Sequence, residues 1–359
     1  MQIMKYLIKY FRYVMFQYLP FIFITGTVIL LPMSCRKPQD QIVIYCAQDP
    51  EFAEKILKPW EEKNRITVTE KYDTEANKSV SLFEELKMES ARPRADLWWN
   101  NEILATIRMH QLGFLESYIS PQEKNYDEKN IGKDHSYIAF AGRLRVIVVN
   151  TKLVSAKDYP TSIFDLLDSR WQGKIAIAKP QFGTSATHAS CLFEVLGEEK
   201  AKQWYRGLKQ NKVQLVPGNK QVAEGVAAGD FAIGITDQDD AIEELDHQKA
   251  IAIILPDAKG NKEYERLGTL LIPNTLALIK NGPNPQKAKE LFDYLISPET
   301  EIQLGLDGAF QIPLNRSKTC DLHIALQDYK NAKKMEVDFE KAAKLWDSTQ
   351  KFLRDEFTH

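Results

Sequence analysis

The sequence predicts an α/β fold, a parallel or mixed sheet covered by helices on both faces. Three observations carry that prediction. Short β-branched, apolar runs recur along the chain; turn or cap residues follow each within a few positions; and a stretch with helical spacing of its apolar residues comes next. In such sheets ligands collect at the carboxyl ends of the strands, so the residues just after each run are the ones to read for function.

The first run is Gln41-Ile-Val-Ile-Tyr45. It leads into Gln48-Asp49-Pro50, where Asp49 reads as an N-cap with proline at the first helical position, opening a helix through Phe52, Ile56, Leu57 and Trp60. Ile66 to Lys71 is the second strand and Val80 to Met88 a helix. Ala95-Asp-Leu-Trp-Trp99 is the third strand, followed by a helix from Asn101 to Gln111. Arg145 to Asn150, Lys174 to Ala178, Gln214 to Val216 and Phe231 to Ile235 continue the series, with helices around Phe164, Ala189, Trp204 and Val222. Thr269 to Leu278, broken by Pro273, precedes a helix from Asn284 to Ile296, and a last amphipathic helix is predicted from about Val337 to Phe357. No internal repeat or clean linker interrupts the pattern, which fits two lobes joined by crossing strands better than two beads in series.

The start of the chain reads as an export signal. Lys5, Lys9 and Arg12 precede an uncharged run from Tyr13 to Met33, and Ser34-Cys35 follows. A cysteine after a small residue at the cut is similar to a bacterial lipoprotein signal, with the thiol taking the lipid, although Pro32 and Met33 stand where that signal usually has Leu and a small residue. The 21 uncharged residues also reach the ~20 that a bilayer span needs, so an uncleaved anchor competes. Either reading places residues after Cys35 outside the cytoplasmic membrane. Losing residues 1–34 removes three cations and no acid, taking the formal charge from -2 to -5, which argues against nucleic acid as a partner. Cys46, Cys191 and Cys320 are too few and too widely spaced to imply a disulfide framework or a zinc site.

Four strand ends carry polar residues suited to binding. Gln48-Asp49 and Asn100-Asn101-Glu102 supply oxygen ligands, or simply helix caps. The loop Phe182-Gly183-Thr184-Ser185-Ala186-Thr187-His188 enters a helix and offers backbone N–H groups and hydroxyls to an anion, yet lacks the Gly-Lys-Ser/Thr ending of a nucleotide-binding loop. Arg143 and Arg145 are two apart on an extended segment and point the same way, as a bidentate partner for an oxyanion would. Asp237, Asp239 and Asp240 close the next strand; they repel one another unless a cation or a helix start offsets the charge. With Asp49 and Glu102 they provide enough hard oxygen ligands for a metal ion or an amine. No HExxH pair, nucleophile elbow or Cys/His nucleophile arrangement is present.

Together these segments resemble a known family. Ala95-Asp-Leu-Trp-Trp-Asn-Asn-Glu102, Gly142 to Lys152, Asp168 to Ala178, Phe182 to His188, Gln221-Val-Ala-Glu224 and Gly268 to Thr275 are similar to the ferric-iron-type extracellular solute-binding proteins of bacterial ABC importers (periplasmic binding protein-like II), over about residues 42 to 314. The resemblance implies two lobes, each a mixed sheet flanked by helices, joined by crossing hinge strands that close on a ligand for delivery to a permease. It implies lobe 1 from 42–142 plus 265–315 and lobe 2 from 143–264, after a signal over 1–34 and a tether over 35–41, with a C-terminal helical segment over 316–359. In iron-binding members a first-strand His or Tyr, sometimes a Glu after the third strand, and a tandem Tyr pair hold Fe(III) beside an oxyanion. Carried over, the metal ligands fall at Asp49, at Asn101 or Glu102, and at Asp239 and Asp240 in place of the tyrosines. The anion contacts fall at Arg143, Thr184 and Ser185, within a ligand-binding set that also takes in Gly183, Thr187 and Asp237.

The resulting expectation is a monomeric, periplasmic or surface lipoprotein anchored through Cys35, with no catalysis or catalytic cofactor of its own. Its cargo is Fe(III) or another metal ion with a bound oxyanion. The alternatives are a phosphonate, a phosphorylated small molecule, or a polyamine held against Trp98 or Trp99. A secreted metal-dependent hydrolase using Glu102, Asp237, Asp239 and Asp240 is the reading from a different class.

Overall fold

The computed structural model describes residues 41–73, 80–306, 308–318 and 321–357. The export segment, Cys35, the tether up to residue 40 and Cys320 lie outside these. Strand β1 (Gln41–Cys46) leads to helix α1 (Pro50–Asn64), β2 (Thr67–Tyr72), α2 (Val80–Met88), β3 (Leu97–Asn100), α3 (Ile103–Gln111) and the two-residue β4 (Leu115–Glu116). The long β5 (Ile138–Asn150) is followed by β6 (Ile175–Ala178), α4 (Gly183–Leu196), α5 (Glu198–Gln210), β7 (Gln214–Val216), α6 (Asn219–Ala228), β8 (Ile233–Asp237), α7 (Gln238–Asp246) and β9 (Ile251–Ile254). β10 (Leu271–Ile279), α8 (Pro285–Leu295), α9 (Pro298–Leu306), α10 (Phe339–Lys344) and α11 (Trp346–Phe357) complete the chain.

The strands run in the order β2-β1-β3-β10-β5-β8-β6-β7, with β4 on β10 and β9 on β5. Pairing is parallel within β2-β1-β3 and within β8-β6-β7 and antiparallel around β10 and β5, so the sheet is mixed. β5 joins the two halves: Ile138–Leu144 pair with β10, while Arg145–Asn150 pair with β8 and β9. This is the two-lobed arrangement with crossing strands.

Helices cover both faces of each half, as the alternation requires. Trp99, Ile44 and Leu97 pack against α1 and α8, whereas the intervening Trp98 and Tyr45 pack against Phe83 of α2 and Leu104 of α3. In the second half Ile147, Ile175 and Ile233 face α4 and α5; Val146, Val148 and Ala176 face α6 and α7. Each such fully buried aliphatic side chain stabilises the fold by about 1.5–3 kcal/mol.

Three expectations are revised. β5 begins at Ile138, not Arg145, and is buried along its whole length. The segment around Phe164 is a 3-10 turn, Ile163–Leu167, closed by a capping box between Ser162 and Asp165. The terminal helix is interrupted at Leu345, where the backbone tightens (φ -83°, ψ -4°) without leaving the helical region.

One glycine sets the depth at which a helix lies on the site. A Cβ at Gly234 in β8 would stand 2.3 Å from Val222 Cγ1 and 3.2 Å from Val226 Cγ2 of α6. The missing side chain lets α6 approach until its first residue, Asn219, reaches Asp237. Gly234→Ala is expected to cost about 1–3 kcal/mol by overpacking. A urea midpoint equal to that of the wild type would show that α6 can move away freely.

Candidate functional site

Five strand ends, or the residues just after them, open on one cavity of about 500 Å³. Asp49 follows β1, Asn101 follows β3, Lys179 to Ser185 follow β6, Gly218 to Gln221 follow β7, and Asp237 ends β8 with Asp239 and Asp240 behind it. The N-cap positions of α1, α4, α6 and α7 are Asp49, Phe182, Gly218 and Asp237; all four line the cavity, and none of these side chains caps its own helix. Backbone donors at the starts of α4, α6 and α7 are thus left to other partners, whereas α1 opens on Pro50, which has no N–H, and its Phe52 N–H donates to Asp49 O at 3.1 Å. Gly183 enters α4 at φ 52°, in the left-handed region that favours glycine.

β5 crosses beneath this cavity and alternates its side chains. Leu144 and Val146 go to the core, and Arg143 and Arg145 go to the site. Arg143, 3 % exposed, donates from Nε to Asp239 Oδ2 at 2.7 Å, from Nη1 to Asn274 Oδ1 at 2.9 Å and from Nη2 to Gln48 Oε1 at 2.7 Å. Burial works against its charge, yet Asp239, Asp237 and Asp49 hold its pKa above the ordinary value. Arg145 stands directly opposite Asp237 in the β5–β8 register and donates to its Oδ1 at 2.6 Å and to Asn219 Oδ1 at 2.9 Å. Thr184 Oγ1 donates to Asp237 Oδ2 at 2.6 Å, and Asn219 Nδ2 donates to the same oxygen at 3.1 Å. Lys220 pairs with Glu243 at 3.2 Å.

The lining therefore carries six carboxylates and three cations, Arg143, Lys179 and Lys220; Arg143 and Lys220 already answer Asp239 and Glu243, and Arg145 beside the lining answers Asp237. Burial pushes the Asp239 carboxyl up to about 6, against the pull of Arg143. Ligand oxygens of Asp237, Asp239 and Asp240 lie within 4.8 Å of one another, a spacing that one cation can bridge.

The structure gathers Asp49, Asn101, Arg143, Gly183, Thr184, Ser185, Asp237, Asp239 and Asp240 as expected neighbours, and removes two residues from the set. Glu102 is not at this cavity: its carboxylate caps α3 through the N–H groups of Leu104 (2.6 Å) and Ala105 (2.9 Å) and accepts from Asn100 Nδ2 (3.1 Å). Thr187 donates to Glu102 at 2.6 Å and is fully buried, so both are occupied structurally. Glu102 caps α3 and Asp49 lies outside the acidic group, so among the described residues the carboxylates close enough together to share a cation are Asp237, Asp239 and Asp240. His188 is buried, and burial with the nearby Arg145 holds its pKa down to about 3, so it stays neutral. Trp98 and Trp99 are core residues on opposite faces of β3, which takes away the aromatic wall proposed for a polyamine. Cys46 and Cys191 are both fully buried.

Sequence reasoning missed Asn219, Lys220 and Lys179. Pro217-Gly218 after a strand is the same strand-end signal used elsewhere, but β7 has only three residues and a weak pattern.

Residues 42–304 match the family described as bacterial extracellular solute-binding protein. The major ferric iron-binding protein of Neisseria meningitidis is 22% identical over 283 residues, covering 76% of this chain and 81% of that protein. Iron-bound HitA from Pseudomonas aeruginosa superposes with a TM-score of 0.78 at 19% identity, over 88% of this chain and 99% of that one. The periplasmic binding protein AfuA from Actinobacillus pleuropneumoniae, with exogenous fructose-6-phosphate bound, gives 0.76 at 23% identity, over 89% and 98%. Among the described residues no helix is long and apolar enough to cross a membrane. The chain belongs to the bacterial extracellular solute-binding proteins, and it is the solute-capturing component of an ABC importer, not an enzyme.

Proposed function

We propose that the captured solute carries a phosphate or phosphonate group, held at the helix starts, with its hydroxyl or amino groups against the acidic wall. The observation that carries this reading is the convergence of four helix N-termini on one cavity, none capped by its own N-cap side chain. Helix N-termini favour negative charge and present free N–H donors. Thr184 and Ser185 add hydroxyls, and Lys179 adds charge. The carboxylates of Asp237 and Asp239 are neutralised in place by arginine and are better acceptors for hydroxyl or ammonium hydrogens than a bare cation cage. AfuA, which shares the fold, holds a sugar phosphate.

A metal ion with a bound oxyanion is the second reading, on the closeness of Asp237, Asp239 and Asp240 and on relatives named for ferric iron. Among the described residues no tyrosine lines the cavity. The two readings share the oxyanion and differ in what meets the acids. Calorimetry with glucose 6-phosphate, 2-aminoethylphosphonate and ferric citrate separates them, and the pH dependence has opposite signs. A phosphate's own second pKa near 6 confuses the comparison; glucose 6-sulfate, whose charge is constant there, does not. As pH falls through about 6, Asp239 takes up a proton, Arg143 is left with an unanswered charge, and the sulfate ester binds more tightly. A metal must displace those protons, so its affinity falls over the same range. Ferric binding without any response to the phosphorylated probes would sink the first reading.

Lobe 1, from 42–142 with 265–315, and lobe 2, from 143–264, are proposed to close on the ligand about β5 and β10. Lipidation of Cys35 would keep a monomeric protein beside its permease through a short polar tether.

A further inference from the structure

A second, larger cavity of about 840 Å³ backs onto the first and shares Lys179, Phe182 and Gly183 with it as a common wall. We propose that it is a separate binding site for a small carboxylate- or phosphate-bearing molecule with a flat apolar body. Its far side is α11, beyond the residues matched to the family.

The donors are Arg108 and Gln350. The Arg108 guanidinium lies 4.5 Å from the Phe83 ring and 5.0 Å from the Trp346 ring, and its side chain is 22% exposed. Those contacts occupy aromatic faces and leave the N–H edge without a hydrogen-bond acceptor among the described residues. The nearest carboxylate, Asp347, is 3.9 Å away with its side chain 95% in solvent. A planar guanidinium held between apolar groups with its donors unspent is suited to a bidentate oxyanion. Gln350 supplies an independent observation: the residue is 5 % exposed, lines this cavity, and its Nε2 has no hydrogen-bond partner. Leaving a buried amide donor unpaired is costly, and a ligand acceptor removes that cost.

The charge balance also favours an anion. Of the acids on the wall, Glu102 is consumed by the α3 cap and Thr187, Glu84 pairs with Lys87 at 3.5 Å, and Asp347 faces solvent. Lys179 and Arg354 have no carboxylate within 4.0 Å among the described residues. Phe83, Phe182, Trp346 and Phe357 supply the apolar walls that a flat ring or short acyl body would fill.

The inference does not depend on the phosphate reading of the first cavity. Its test uses indole-3-acetate and its neutral analogue indole-3-ethanol as probes, titrated calorimetrically against the full folded protein with and without saturating glucose 6-phosphate. The wild type is expected to bind the acid roughly 10- to 100-fold more tightly than the alcohol, the size of one charge-assisted contact. Arg108→Gln should abolish that preference. Gln350→Leu should weaken the acid several-fold while leaving the melting temperature equal or higher, because it removes the unpaired donor; it decides the matter if Arg108→Gln does not fold. Equal affinity for the two probes, no binding by about 10 mM, a preference that survives both variants, or competitive displacement by glucose 6-phosphate would each overturn the proposal.

Discussion

Arg145→Met is expected to lower the folding stability by roughly 3–5 kcal/mol and to abolish binding of phosphorylated probes. The magnitude follows from what remains after the change. Arg145 is 2% exposed and sits opposite Asp237, itself 5% exposed, so removing the guanidinium leaves a buried carboxylate facing only Thr184 and Asn219. Breaking one side of a buried ion pair typically costs that much, whereas replacing both sides with apolar groups is often neutral. Arg145→Met with Asp237→Leu should therefore regain most of the lost stability while binding stays absent. Urea unfolding and calorimetry read the two effects separately. If the single variant is as stable as the wild type, Arg145 is not the group that holds β8, α4 and α6 at the cavity. If the double variant still binds glucose 6-phosphate, the network is a scaffold remote from the ligand.

The reason this network was only half legible in the sequence is physical. The spacing of Arg143 and Arg145 on one face of a strand follows from local geometry, and so do the strand ends that carry Asp49, Asn101 and Asp237. Where each arginine spends its donors is decided by chain segments far away: Gln48, Asn274 and Asp239 for Arg143, and Thr184, Asn219 and Asp237 for Arg145. The start of β5 at Ile138 escapes the local pattern for the same cause. Gly142 and Arg143 interrupt an apolar run, and only partners from distant segments, Gln48, Asn274 and Asp239, make a buried arginine tolerable there. β9, Ile251–Ile254, is a short apolar run that local pattern does not separate from a loop; its pairing with Ile147–Asn150 makes it a strand. The α/β alternation needed no such long-range information, because each buried strand is itself a β-branched run.

Glu102 is where a local rule and a distant partner compete most sharply, and Glu102→Ala is expected to cost roughly 3 kcal/mol at neutral pH. The loss combines an N-cap worth about 1 kcal/mol with the buried donors of Asn100 and Thr187 left without their acceptor. Because Thr187 lies on α4 and Glu102 starts α3, the pair also ties α3 to the helix whose first turn lines the cavity. Thr187→Val removes one of the orphaned donors, so the double variant should lose less than the sum of the two single losses, with a coupling of about 0.5–3 kcal/mol. Burial raises the Glu102 pKa. A carboxyl whose pKa is higher folded than unfolded contributes most below its unfolded value of about 4.3 and loses contribution as pH rises through the folded value. The gap between wild type and Glu102→Ala should therefore be wider in acid than at neutral pH. Affinity for glucose 6-phosphate should change by less than about threefold, since a cap acts on stability and not on the ligand. The opposite outcome, full stability with ferric or phosphate binding lost, would return Glu102 to the ligand set and make the hydrogen bond from Thr187 incidental.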